Sequence, residues 1–87
     1  MVASSVDSIA ELEQARGHLD ELLANDPDMV LPLDDQQQIE HAIAVGVATL
    51  AGEEAPTPGH EAPTRNVLAK DLRITTDLVL RALQAQA

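Results

Sequence analysis

The complete lack of Phe, Trp and Tyr most strongly limits what this chain of 87 residues folds into. Aromatic side chains bury the largest areas in small cores, so this core must come from Leu, Ile, Val, Met and Ala. A chain of this length lies near the lower limit at which one core stabilises a fold. The absence of cysteine excludes a disulfide framework and a thiolate site. We therefore predict one small domain that gains further burial by forming a homodimer.

Apolar residues recur at helical spacing in three segments, and this period predicts an all-α protein. The first segment covers residues 8–24 and starts with a capping box of Ser8 and Glu11. The last covers residues 64–84, where two adjacent threonines leave open whether it forms one helix or two. We predict a helical hairpin plus a C-terminal helix or helix-turn-helix, which gives a bundle of three to four helices.

The middle segment is apolar around nearly its whole circumference, which is typical of a helix that lies between other helices. We expect it to start at Asp34 or Asp35 in a capping box closed by a glutamine, and to end before a C′ residue, Gly52. Gly46 costs about 1 kcal/mol relative to alanine inside a helix, so it predicts close approach of another backbone; the alternative is that the helix merely tolerates this glycine. The apolar connector, residues 25–33, should pack onto the helices; a short strand there would have no obvious partner.

Charge divides the sequence unevenly, although the total is −10. Residues 1–64 carry 13 acidic and one basic side chain, while residues 65–87 carry four basic and two acidic ones. This predicts an acidic helical hairpin over residues 1–52, a proline-rich linker or long loop over residues 53–64, and a C-terminal helical segment over residues 65–87. The two parts would meet different partners; alternatively, the acidic residues only keep the protein soluble.

Residues that carry chemistry are scarce, which favours a protein without enzymatic activity, cofactor or metal ion. The three histidines, His18, His41 and His60, lack the spacing that places two ligands on one helix face. The sequence has no Gly-rich phosphate loop. The uncharged stretch between Glu40 and Glu53 is too short for a bilayer, which takes about 20 residues, and the N-terminus does not resemble a signal peptide. We therefore expect a cytoplasmic protein that does not enter a membrane.

The last segment carries a recognisable order of residue types. A small residue, Ala69, precedes an apolar Ile74, a capping Thr75 and an apolar Val79. In this order and spacing, residues 68–83 resemble the helix-turn-helix of Lac-type repressors. An ordinary amphipathic helix over the same residues is the alternative.

The resemblance implies a small DNA-binding regulator or an antitoxin-like protein whose acidic half binds a basic partner. Five residues would then meet DNA, in the major groove or near phosphates: Thr76, Asp77, Arg81, Arg65 and Lys70. The charge of −12 on residues 1–64 opposes approach to a polyanion. Nucleic acid is therefore the less favoured partner.

The favoured hypothesis is a non-catalytic protein–protein interaction module. Two helices, a proline-rich linker and a terminal helix resemble in architecture the C-terminal docking domains of modular polyketide synthases. Contact area would come from apolar residues on the second and last helices: Ile43, Val47, Leu50, Leu78, Val79 and Leu80. Four acidic residues would steer a basic protein partner: Asp20, Glu21, Asp34 and Asp35.

Overall fold

Three helices, each packed against the other two, form the described part of the chain. The computed structural model describes residues 5–54 and 66–86. The helices are α1 (Ser5–Asn25), α2 (Leu33–Ala51) and α3 (Ala69–Gln86). The predicted all-α bundle is thus confirmed, and of the two alternatives left open for the C-terminal segment the structure has the single helix. Because α3 packs on both helices of the hairpin, residues 66–86 belong to the same bundle and are not a separate tail.

The helix α1 begins at Ser5, so the predicted capping box of Ser8 and Glu11 is wrong. Ser8 is buried inside the helix, and its hydroxyl lies 2.8 Å from Oγ1 of Thr49 on α2. Thr49 Oγ1 donates its own hydrogen to the Val45 carbonyl at 2.9 Å, so Ser8 is the donor between the two hydroxyls. The serine therefore joins the start of α1 to the end of α2.

The helix α2 begins at Leu33, before both predicted N-caps, Asp34 and Asp35. The N-cap residue is Pro32, which makes no side-chain capping hydrogen bond, so the predicted aspartate and glutamine capping box is wrong. Pro32 has the extended backbone of a residue that precedes a helix. The two aspartates instead occupy the first turn, where negative charge suits the positive end of the helix.

The end of α2 matches its prediction. Gly52 adopts the left-handed conformation with φ of 71°, which a residue without Cβ reaches at little cost. Its N–H donates to the Thr49 carbonyl at 3.2 Å, and the Glu53 N–H donates to the Ala48 carbonyl at 2.8 Å. These bonds satisfy carbonyls that the helix leaves without partners.

The connector packs on the bundle as predicted, since Leu31 is fully buried. The connector also has a strand-like pairing partner, so the expectation that a strand there would have none is wrong. Val30 forms an isolated antiparallel bridge with Leu68, just before α3. The Leu31 N–H donates to the Val67 carbonyl at 3.0 Å beside this bridge. The connector therefore anchors the chain where it enters α3.

Two amide side chains strengthen this anchor. Gln36 on α2 is buried, and its Oε1 accepts a hydrogen bond from the Val67 N–H at 3.2 Å. Asn66 donates through Nδ2 to the Leu31 carbonyl at 2.9 Å. The start of α3 is thereby held beside the N-terminal end of α2.

The core consists of two aliphatic clusters, one towards each end of the bundle. Their buried members are Leu19, Leu31, Ile39, Ala69 and Leu72 in one cluster, and Leu12, Ala42, Leu80 and Leu83 in the other. At Gly46, a Cβ atom would lie 2.8 Å from Val79 Cγ1 and 2.9 Å from Leu12 Cδ1. Gly46 is thus closely packed, but the predicted approach of another backbone is wrong, because side chains of α1 and α3 make the contact.

We predict that Gly46→Ala lowers the free energy of unfolding by up to about 2 kcal/mol. Overpacking costs about 1–3 kcal/mol, and alanine regains about 1 kcal/mol of helix propensity. The β-branched Val79 has little rotamer freedom with which to move away, so a Val79→Ala background should reduce the loss. Urea denaturation measures both effects.

Gly17→Ala is the matched control, because a Cβ at Gly17 meets nothing within 4 Å. We expect this substitution to raise the free energy of unfolding by up to about 1 kcal/mol. Equal stabilisation by alanine at both glycines would contradict the close contact over Gly46.

Candidate functional site

A group of charged side chains joins α1 to α3, and we call it the Arg–Asp network. Arg16 Nη1 donates to Asp77 Oδ1 at 3.2 Å. Arg81 Nε lies 2.9 Å from Asp77 Oδ2, and Arg73 Nη1 lies 3.6 Å from Asp77 Oδ1. Arg73 also donates through Nε to Asp20 Oδ1 at 2.7 Å. One carboxylate on α3 therefore faces three guanidinium groups.

The network contains two of the four basic residues that the sequence places in the C-terminal segment, Arg73 and Arg81. Asp77, at its centre, is only 18% exposed. The remaining described cation, Lys70, has its Nζ 3.8 Å from Asp28 Oδ1. Each Lys or Arg within residues 5–54 and 66–86 therefore faces a carboxylate of this chain. Among the described residues of the C-terminal segment, Arg73 pairs with Asp20 on α1, Lys70 faces Asp28 of the connector, and Arg81 faces Asp77 on α3 itself.

The residues that the repressor resemblance assigns to DNA do not share an open surface. Thr76 is fully buried, and its hydroxyl donates to a carbonyl one turn earlier at 2.7 Å. Asp77 and Arg81 belong to the Arg–Asp network, while Lys70 is exposed near the start of α3. Arg65 lies outside the described residues. Since Ala69–Gln86 is one helix, the turn that the resemblance implies is absent there; DNA binding itself stays a prediction.

The six apolar residues predicted to meet a partner fall into two groups. Four lie in or against the core: the fully buried Leu80 and the partly buried Ile43, Leu50 and Val79. These side chains stabilise the bundle and offer little area to a partner. Val47 on α2 and Leu78 on α3 remain open, with exposures of 50% and 61%.

Ile74, which the sequence interpretation did not assign to a contact surface, is 60% exposed. It lies four residues before Leu78, so the two side chains are neighbours on one face of α3. Asp71, Arg81 and Ala85 continue the same face at alternating spacings of three and four, and all three are exposed. We call these five residues the outer face of α3.

The sequence would predict the outer face of α3 if the buried residues of this helix were assigned correctly. The buried residues of α3 include Leu72, Thr76, Leu80 and Leu83, which recur at intervals of three and four. This stripe contains a threonine, and the resemblance assigned that residue to the surface. Once Thr76 is placed inside, the helical period turns Ile74 and Leu78 outward.

The four acidic residues predicted to steer a partner lie at one end of the hairpin, where the connector joins α1 to α2. Glu21 and Asp34 are exposed, whereas Asp20 is bound to Arg73 in the Arg–Asp network. Asp35 Oδ2 lies 3.7 Å from His18 Nε2, which links the two helices at this end. The exposed carboxylates give this end of the bundle a negative surface.

A cleft of about 360 Å³ lies between α1 and α2. Its polar lining comes from Glu11, Gln14, His18, Gln38 and His41. No group of three or more His, Asp or Glu residues that could hold a metal ion occurs in residues 5–54 and 66–86. The cleft therefore does not contain such a group of ligands and is not identified as a metal site.

Comparisons with protein families, with curated proteins and with solved structures find no match to this chain. Within the part of the chain that the structure describes, no helix is both long and apolar enough to cross a membrane. The outer face of α3 is therefore identified by the exposure, spacing and charge of its own residues.

We predict that Asp77→Asn lowers the free energy of unfolding by about 1–2 kcal/mol at low ionic strength, because three guanidinium groups lose their shared carboxylate. The loss should shrink in about 1 M NaCl, where charges on the surface are screened. Urea denaturation at both salt concentrations measures the difference.

Glu13→Gln makes the same change of net charge at an exposed position on α1. We expect it to alter the free energy of unfolding by less than about 0.5 kcal/mol. If both variants behaved alike, the Arg–Asp network would not stabilise the contact between α1 and α3.

Proposed function

We propose that this protein is a non-catalytic helical module for protein–protein interaction, and that the outer face of α3 is its docking surface. The observation that carries this proposal is the pair of Ile74 and Leu78. Both are about 60% exposed, and they lie one turn apart. Apolar anchors at this spacing are what one helix offers to a groove or to another helix.

The energetics of this pair favour a reversible complex. Full burial of an Ile or Leu side chain contributes about 1.5–3 kcal/mol, and roughly 60% of each side chain is still available here. The pair alone cannot offset the cost of association, which is about 4 kcal/mol or more. Flanking residues must therefore add contacts, and the complex should dissociate readily.

The buried polar side chains make hydrogen bonds within the fold, which favours a structural protein over an enzyme. Ser8, Gln36 and Thr76 are buried. Ser8 and Gln36 make hydrogen bonds that join different parts of the bundle, while Thr76 donates to a carbonyl within α3. Among the described residues, no buried side-chain nitrogen or oxygen is left without a partner. These groups are thus engaged in folding contacts, as expected of a scaffold that presents a surface.

Charge supports a protein partner over a nucleic acid. The chain carries a formal charge of −10, and its described cations already face carboxylates. Such a surface repels a polyanion and accelerates encounter with a basic or mixed-charge protein. The acidic end of the hairpin, with Glu21 and Asp34, would contribute to this steering.

A benzophenone amino acid at position 78 tests the proposal. On irradiation with the native host extract or with further copies of the chain, it should form a discrete protein adduct. The adduct should disappear when Ile74→Asp is added, because a charge then occupies the same apolar face. Denaturing electrophoresis and mass spectrometry identify the product.

The same photoreactive residue at position 47 is the matched control, since Val47 is also half exposed but lies on α2. We expect little adduct from this position. Equal adducts from both positions, or an adduct at position 78 that survives Ile74→Asp, would contradict the assignment of the docking surface to α3.

A further inference from the structure

The outer face of α3 carries its charges in a self-complementary order. From the N-terminal to the C-terminal end, the face presents an acidic, two apolar and a basic residue: Asp71, Ile74, Leu78 and Arg81. Their alternating spacing of three and four is that of the contact positions of a coiled coil. Both the charged pair and the apolar pair are centred on the level of Thr76.

We propose that the occupant of this face is a second copy of the same chain, docked antiparallel along α3. This inference rests on the proposed function, because it names the partner of the same surface. Each copy carries a formal charge of −10, so the net charge opposes association, and the local pairing of Asp71 with Arg81 must favour it instead. A two-fold axis at the level of Thr76 places Ile74 of each copy opposite Leu78 of the other. The same operation places Asp71 opposite Arg81, and each contact occurs twice, as an isologous interface requires.

The order of charges also selects the direction of the two helices. A parallel pair in register would place Asp71 against Asp71 and Arg81 against Arg81. Like charges in direct contact oppose association, whereas the antiparallel pair joins opposite charges at both ends of the apolar contact. The antiparallel arrangement is therefore the one that the face supports.

Arg81 is able to take part although it already contacts Asp77. Its Nε lies 2.9 Å from Asp77 Oδ2, yet the side chain is 74% exposed. A guanidinium group has five N–H donors, so others remain for a carboxylate of the second copy. Asp71 is exposed in the first turn of α3, where a cation from the second copy reaches it.

The size of the interface predicts a weak dimer. A contact made by one helix from each copy falls below the about 1,200–2,000 Å² of a stable protein–protein interface. We therefore expect a dissociation constant of about 10 µM to 1 mM. Ala85, which is small and exposed, lets the two helices approach closely at the end of the contact.

Sedimentation equilibrium of the full chain tests the dimer. The average mass should rise from 9.2 kDa towards twice that value between about 10 µM and 1 mM. Leu78→Ser should weaken association at least about tenfold, while the control Val47→Ser should leave it unchanged. Circular dichroism verifies that both variants keep their helices. A wild-type chain that stays monomeric throughout would overturn the proposal.

Charge exchange tests the pairing of Asp71 with Arg81. Asp71→Lys and Arg81→Glu should each weaken self-association, because each places like charges opposite one another. Mixing the two variants should restore association, since opposite charges then meet at both ends. Failure of the mixture to associate more tightly than either variant alone would overturn the assigned pairing.

Single cysteines test the direction, because the chain contains none. With dissolved oxygen as the oxidant, Ile74→Cys mixed with Leu78→Cys should form the mixed disulfide faster than either variant forms its own. Faster formation of the two symmetric disulfides would overturn the antiparallel arrangement.

Different results would contradict the self-docking of two copies and the docking function of the outer face of α3. A monomeric chain whose residue at position 78 still captures another protein, in a manner abolished by Ile74→Asp, would overturn self-docking and leave the docking function intact. A monomeric chain that also forms no such adduct would overturn both.

Discussion

The contact over Gly46 brings all three helices together in a core that has no aromatic side chain. Leu12 from α1 and Val79 and Leu83 from α3 lie within 3.4 Å of the position that a Cβ at Gly46 would take. Aliphatic side chains gain dispersion energy only at such short range, so the lack of a Cβ at this position lets the bundle close. This packing also sets the rotation of α3 about its axis.

The ion pairs of the Arg–Asp network stabilise the same placement of α3 as the core packing does. The Arg–Asp network holds α3 to α1 through Asp20 and Asp77, and it uses cations that a nucleic-acid-binding surface would need. With Val79 and Leu80 turned inward, the helical period directs Ile74 outward. The exposure of the proposed docking surface is therefore a consequence of how α3 is fixed in the bundle, and its charged residues flank Ile74 and Leu78.

The sequence predicts best the features that depend on residues close together in the chain. The helical period gives three helices, and the propensity cost of a mid-helix glycine correctly indicates tight packing at Gly46, although the contact is with side chains and not with the backbone that we expected. Ser8 looks like a cap because a cap and a buried serine share the same local pattern; only its distant partner, Thr49, distinguishes them. Leu78 and Leu80 were both predicted on a contact surface, yet one is exposed and the other is buried. Tertiary packing decides between such neighbours.

An isotope-filtered NOE experiment tests the docking of α3 most directly. A sample at millimolar concentration would mix copies that carry labelled Ile and Leu methyl groups with unlabelled copies. If two copies dock antiparallel along α3, we expect intermolecular NOEs between the Ile74 δ-methyl group of one copy and the Leu78 methyl groups of the other. Intermolecular NOEs that involve Val47 instead, or none at this concentration, would contradict this docking.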